Sequence, residues 1–129
     1  MRRKSVFLCC VNFTPERSLC PGNIFCNRTA TIKGHLVGYI CIDLKAKIDD
    51  TKAYEIVTLY VQEHFQKKGV GTKLIEHITK EHGPKQWLTT WTYNDNAIQF
   101  YRHLGFVPVG ETYFEFDNER HKNLIFKKN

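Results

Sequence analysis

Gln66-Lys67-Lys68-Gly69-Val70-Gly71-Thr72 is the stretch on which the fold turns. On its N-terminal side, residues 53–62 alternate as a strand does, with Ala53, Glu55, Val57, Leu59 and Val61 expected on one face and Tyr54, Ile56, Thr58 and Tyr60 on the other. Apolar groups on both faces predict a central strand. On its C-terminal side, Val70, Leu74, Ile75, Ile78 and His82 fall at helical spacing until Gly83-Pro84 stops the helix. A glycine turn between strand and helix aims main-chain N–H groups outward. There they lack intrahelical partners and carry the positive end of the dipole, which makes a seat for phosphate. Lys67, Lys68 and Lys73 add positive charge. The spacing is not that of a P-loop. Nor is it a dinucleotide fingerprint, because Leu74 stands where that motif needs its third glycine.

Further along, residues 87–92 form a compact strand candidate. Asn94 or Asp95 can cap a second helix whose face carries Ala97, Ile98, Tyr101 and Leu104, and Gly105 follows as a C-terminal stop. Residues 24–33 and 35–44 read as a hairpin. Residues 106–109 and 111–116 read as strand pieces, and 124–128 as a closing strand. Residues 45–52 are polar and turn-like, and 5–12 allow a short strand in an otherwise atypical segment, residues 1–23. The expected class is α/β (α+β): one mixed, mainly antiparallel central sheet flanked by helices, in a single domain over residues 1–129.

Composition sets bounds. A chain of 129 residues suits one domain with its own core. Lys plus Arg is 19 against 13 Asp plus Glu, a net +6 that favours an anionic partner. The apolar run at residues 6–11 is far short of the roughly 20 needed to span a membrane, and no cleavage pattern follows Arg2-Arg3-Lys4. Five cysteines without a Cys-x-x-Cys pair argue against a disulfide framework or a zinc site. The expectation is therefore a cytoplasmic protein with reduced thiols. Six histidines show no ligand spacing, so no metal is expected. Trp87 and Trp91 share a strand face, where core packing is the first expectation, with approach to an amine site as the alternative for Trp91.

The glycine stretch and Asn94-x-x-Ala97-x-x-Phe100-Tyr101-x-x-Leu104-Gly105-Phe106, in that order and one helix and one strand apart, resemble the GNAT superfamily of acetyl-CoA-dependent N-acetyltransferases. The resemblance covers residues 34–128. Within the superfamily, the Tyr54-Glu55-Ile56 strand and residues 110–116 look like the bacterial polyamine or small-amine branch. It implies acetyl-CoA as cosubstrate and an amine acceptor, small-molecule or protein, that attacks directly in a ternary complex. It implies that the amides of Gln66, Lys67, Lys68, Gly69, Val70, Gly71 and Thr72 grip the pyrophosphate. Leu59, Tyr60 and Val61 would offer main-chain groups to the pantetheine arm, and Asn94 and Ala97 would border it.

Two catalytic roles follow from the resemblance. An alkyl ammonium has a pKa of about 10.4, so the neutral amine costs about 4–5 kcal/mol at pH 7 unless a base assists. Glu55 is the candidate base, with a structural carboxylate as its alternative role. Tyr101 is the candidate acid for the departing thiolate, with helix packing as its alternative role. A phenol of pKa about 10 is weaker than the thiol by about 2 kcal/mol, so a hydrogen bond short of full transfer suffices. Asn94 also serves as a helix cap in this reading. Two other classes stay open: a non-catalytic acyl-CoA-binding relative, and a basic nucleic-acid-binding module. Against the latter, charges are scattered and no nucleic-acid motif appears. A homodimer remains compatible. The family's first strand and two acceptor-side helices have no clear counterpart in the roughly 30 residues before the hairpin, so acceptor selection is expected to be altered, lost or completed by a partner chain.

Overall fold

A computed structural model describes residues 11–15, 25–49 and 52–129. Its seven strands are β1 (Val11–Pro15), β2 (Phe25–Ile32), β3 (His35–Asp43), β4 (Tyr54–Val61), β5 (Gln86–Trp91), β6 (Val107–Phe116) and β7 (Glu119–Lys128). Helix α1 spans Val70–His82 and α2 spans Asp95–His103. The strands form one sheet in the order β1-β2-β3-β4-β5-β7-β6, antiparallel except for β4 with β5. The expected mixed, mainly antiparallel sheet is therefore present. The strand expected over residues 5–12 falls mostly outside the described residues, as does most of the atypical segment 1–23; a strand lies at Val11–Pro15.

Helix α1 lies against β2, β3 and β4 with Val70, Leu74, Ile75 and Ile78 buried, the face that its spacing predicts. It can settle this closely because Gly38 sits beneath it. A Cβ there would stand 3.3 Å from Val70 Cγ1, 3.4 Å from Leu74 Cδ1 and 2.7 Å from the Tyr60 carbonyl oxygen. Helix α2 begins at Asn94, whose Oδ1 accepts from the Ala97 amide at 3.3 Å. It ends in a Schellman motif: Gly105 takes φ 99°, its amide donates to Arg102 O, and the Phe106 amide donates to Tyr101 O. Its inner side chains, Ile98, Phe100, Tyr101 and Leu104, pack on the same core as α1.

Three sequence expectations change. Strand β4 carries a bulge: Cys41 pairs with Thr58 and Ile42 with Ile56, leaving Val57 unmatched. An extra residue reverses the side-chain alternation beyond it. Tyr54, Ile56, Leu59 and Val61 therefore share the helix-facing side, while Glu55, Thr58 and Tyr60 share the other. The expected grouping of Glu55 with Leu59 and Val61 is thus corrected. The two pieces at 106–116 are one strand with a bulge at Val109, where Pro108 pairs Phe126 and Gly110 pairs Ile125. Strand β7 begins at Glu119, not near 124, because Asp117 and Asn118, at φ 55° and 61°, make a two-residue hairpin turn.

Candidate active site

Strands β4 and β5 run parallel yet pair only at Tyr54↔Gln86 and Glu55↔Trp87. Beyond that base the two strands have no ladder between them, which leaves a gap toward their C-terminal ends. The base is bolted on the helix side. Gln86 is buried, and its Nε2 donates to the Tyr54 hydroxyl oxygen at 2.6 Å and to Thr79 Oγ1 on α1 at 2.8 Å. The Tyr54 hydroxyl in turn donates to Gly83 O at 2.7 Å. Two strands so fixed at one end and unpaired at the other leave main-chain groups of 59–61 facing the gap.

The glycine turn stands at the open end. After a short 3-10 turn, Glu63–Phe65, the chain takes φ 60° at Lys67 and 92° at Gly69 before α1 begins. The Gln66 amide is used by Glu63 O, and the Lys73 amide by Gly69 O. Between them, the amides of residues 67–72 meet no acceptor among the described residues. Left-handed residues alternating with right-handed ones turn such amides into a concave nest for an anion. Gln66 contributes differently from the expectation: its Nε2 donates to Val61 O at 3.0 Å, tying the turn to the strand it leaves. Gly71 is also small for another reason than ligand approach, since a Cβ there would meet Phe100 Cζ at 3.1 Å.

Glu55 lies at the base of the gap on the face away from the helices, half-buried. Burial, then the charge of Asp43 across the strand pair, pushes its carboxyl above the ordinary value. Tyr101 lies on the helix side, its ring 5.2 Å from that of Phe100 and 5.6 Å from that of Phe106. Burial pushes its hydroxyl up to about 12, so it stays protonated through the physiological range. Tyr60 is exposed beside Tyr39, with ring centroids 5.5 Å apart. Trp87 is buried at 8% exposure, but Trp91, four residues on, is 43% exposed on the same face and packs on Tyr93 and His121. Core packing thus holds for the first and fails for the second, because Trp91 sits where the sheet has opened.

Sequence reasoning missed the Gln66 tie and the role of residues 45–49, which lack any motif. Among the described residues, no cluster of metal-ligating side chains occurs, and no helix is long and apolar enough to cross a membrane.

Comparison with known proteins bears on the family and the fold. An uncharacterized N-acetyltransferase from the pepI 3' region of Lactobacillus delbrueckii subsp. lactis is 28% identical over 116 residues. That alignment takes in 84% of this chain and 65% of the relative, so the chain spans just under two thirds of the relative's length. Arabidopsis thaliana NAA60 in complex with a bisubstrate analogue superposes with a TM-score of 0.70 at 18% identity, covering 83% of this chain and 77% of that one. A GNAT family acetyltransferase from Elizabethkingia anophelis with acetyl-CoA bound gives 0.68 at 14% identity, covering 92% and 97%. These two share the fold. The family model for the acetyltransferase (GNAT) family matches residues 9–106, and this chain belongs to that family.

Proposed function

We propose that this protein is an N-acetyltransferase, a single domain that moves the acetyl group of acetyl-CoA to a primary amine. The observation that carries the reading is the row of unused amides at residues 67–72, opening α1 beside the gap between β4 and β5. Six adjacent donors with no acceptor among the described residues suit the crowded oxygens of a diphosphate. Lys67, Lys68 and Lys73 surround them with positive charge. A similar fold holds acetyl-CoA in the Elizabethkingia protein.

In this reading the pantetheine arm extends from the nest into the gap and pairs with the main chain of Leu59, Tyr60 and Val61 as a short added strand would. Ala97 and the Asn94 side chain, which caps α2, border it. Acetyl-CoA supplies an activated thioester carbonyl. The amine reaches it from the face that carries Glu55, while Tyr101 faces it from the helix side. Glu55 takes the ammonium proton, directly or through water. Its desolvated position, beside a second carboxylate, strengthens it as a base. Tyr101 donates a hydrogen bond to the sulfur as negative charge gathers there. With its hydroxyl at about 12 and a thiol near 8.5, complete transfer would run uphill by roughly 5 kcal/mol, so donation without transfer is its role.

Coenzyme A release with a panel of amines, run beside calorimetry with acetyl-CoA, tests the reading. Saturable binding with thiol release on one amine class supports it. Binding with no release for any amine would identify a non-catalytic acyl-CoA binder, and no binding at tens of micromolar would remove the assignment altogether. Polyamines and other small amines, by the similarity of the Tyr54-Glu55-Ile56 strand, are the first acceptors to try.

A further inference from the structure

Residues Asp43, Glu55, Trp87 and Lys127 are successive partners along one transverse row of the sheet, on the face away from the helices. The segment after β3 is strapped across this row at three points. The amides of Lys45 and Ala46 donate to Asp43 Oδ1 at 2.9 and 3.1 Å. Trp87 Nε1 donates to Ala46 O at 3.3 Å. Lys127 Nζ donates to Asp49 Oδ2 at 2.5 Å. The strap thereby fixes Asp43 and is anchored on either side of Glu55 along the row.

We propose that Asp43 is a positioning residue for the transfer reaction: a fixed negative charge, one strand from Glu55, that makes Glu55 hold the proton it removes from the incoming ammonium. Direct partners across an antiparallel pair place their Cβ atoms about 4.5–5.5 Å apart. Two amide donors hold the Asp43 carboxylate in place across from Glu55, which is the carboxylate that gains the proton. The other charges near the row are Lys45, Lys47 and Asp49 on the strap and Lys127 on β7. Lys127 is committed to Asp49, and Trp87 separates it from Glu55. Helix α1 contributes no charge here, since it lies on the opposite face. Burial first, and the Asp43 charge second, push the Glu55 carboxyl above its ordinary value, in keeping with this geometry.

This inference rests on Glu55 as the proton acceptor. The test is D43N, whose amide oxygen can still accept from Lys45 and Ala46, with D43E as the variant that restores the charge. The acid limb of kcat/KM and the Glu55 carboxyl titration, followed by carbon NMR, should both move down by about half to one pH unit in D43N. Both should return toward wild type in D43E, and 1 M salt should narrow the difference. Lower activity with both titrations unmoved overturns the proposal, because a merely structural Asp43 would behave so. In wild-type protein alone, the Glu55 carboxyl should titrate above the ordinary glutamate value. A single-site curve at the ordinary glutamate value overturns the proposal without any variant. E55Q at wild-type kcat/KM would instead sink the assignment of Glu55 as base, while the Asp43-dependent NMR shift would still be read independently.

Discussion

Gly71 at the start of α1 and Phe100 on α2 occupy each other's space: a Cβ on the glycine would lie 3.1 Å from Phe100 Cζ. The glycine turn and the helix carrying Tyr101 are therefore seated against one another, and the glycine sets their separation. G71A forces the ring aside or tilts the first turn of α1. Overpacking of this kind costs about 1–3 kcal/mol, offset by up to about 1 kcal/mol of helix propensity. Urea denaturation should show a net loss of about 1 kcal/mol, and calorimetry an acetyl-CoA affinity about tenfold weaker. G71A combined with F100L should recover the stability; if it does not, the clash is not the cause.

Gly38 makes a harder demand. A Cβ there would lie 2.7 Å from the Tyr60 carbonyl oxygen, a main-chain atom that no rotamer change can move. The expectation for G38A is a loss of about 2–4 kcal/mol, larger than for G71A, measured from urea midpoints at unchanged slope. The affected carbonyl belongs to the strand segment 59–61, so acetyl-CoA binding should weaken as well. An isolated loss of stability with full cofactor affinity would mean that this segment does not border the cofactor.

The helices were legible because their apolar spacing and their stops, Gly83 and Gly105, are local. The side on which Glu55 points was not. It depends on the extra residue Val57, and a bulge leaves no mark in a run where both faces are apolar. Likewise, nothing in residues 45–49 announces that they cross the sheet; the contacts that hold them come from Asp43, Trp87 and Lys127, in three different strands. Strand β7 starts five residues before the expected 124–128 because His121, Lys122 and Asn123 carry no apolar alternation, and only the Asp117-Asn118 turn supplies β6 as their partner. Trp91 was assigned to the core by alternation, which cannot tell that β4 and β5 separate before reaching it. Local chemistry thus marked the site's parts, and their sidedness came from pairing.

Tyr101 gives a prediction with a pH sign. Burial raises its hydroxyl to about 12, while an unfolded tyrosine titrates near 10. Its contribution to stability is whole below pH 10 and is lost as pH climbs from 10 to 12, by about 2 kcal/mol. Thermal melts of wild type should fall more steeply across that range than those of Y101F. In turnover, Y101F should lower kcat by about 10- to 100-fold and leave the acetyl-CoA KM within about twofold, as expected for a donor used mainly in the transition state. A basic limb in kcat near pH 10 that vanishes in Y101F would contradict the burial of this hydroxyl.

Arg28 on β2 and Glu81 near the end of α1 pair through two hydrogen bonds of 2.9 Å, with the arginine side chain 11% exposed. Burial alone would raise the Glu81 carboxyl. The hydrogen bond and charge of Arg28, helped by His77 and His82, outweigh it and hold the group below its ordinary value. A lowered carboxylate stabilises the fold above the unfolded pKa, and that contribution disappears as pH falls through the folded one. R28M should therefore cost about 1–2 kcal/mol at pH 7, and its stability should start to converge on that of wild type as pH falls below about 4, where an unfolded glutamate takes up its proton, and meet it below the lowered folded value. A pH-independent deficit would assign the loss to the packing of the arginine stem. The site itself should be spared, since this pair braces the far end of α1, away from the amides that open it, and acetyl-CoA affinity should change by less than about twofold.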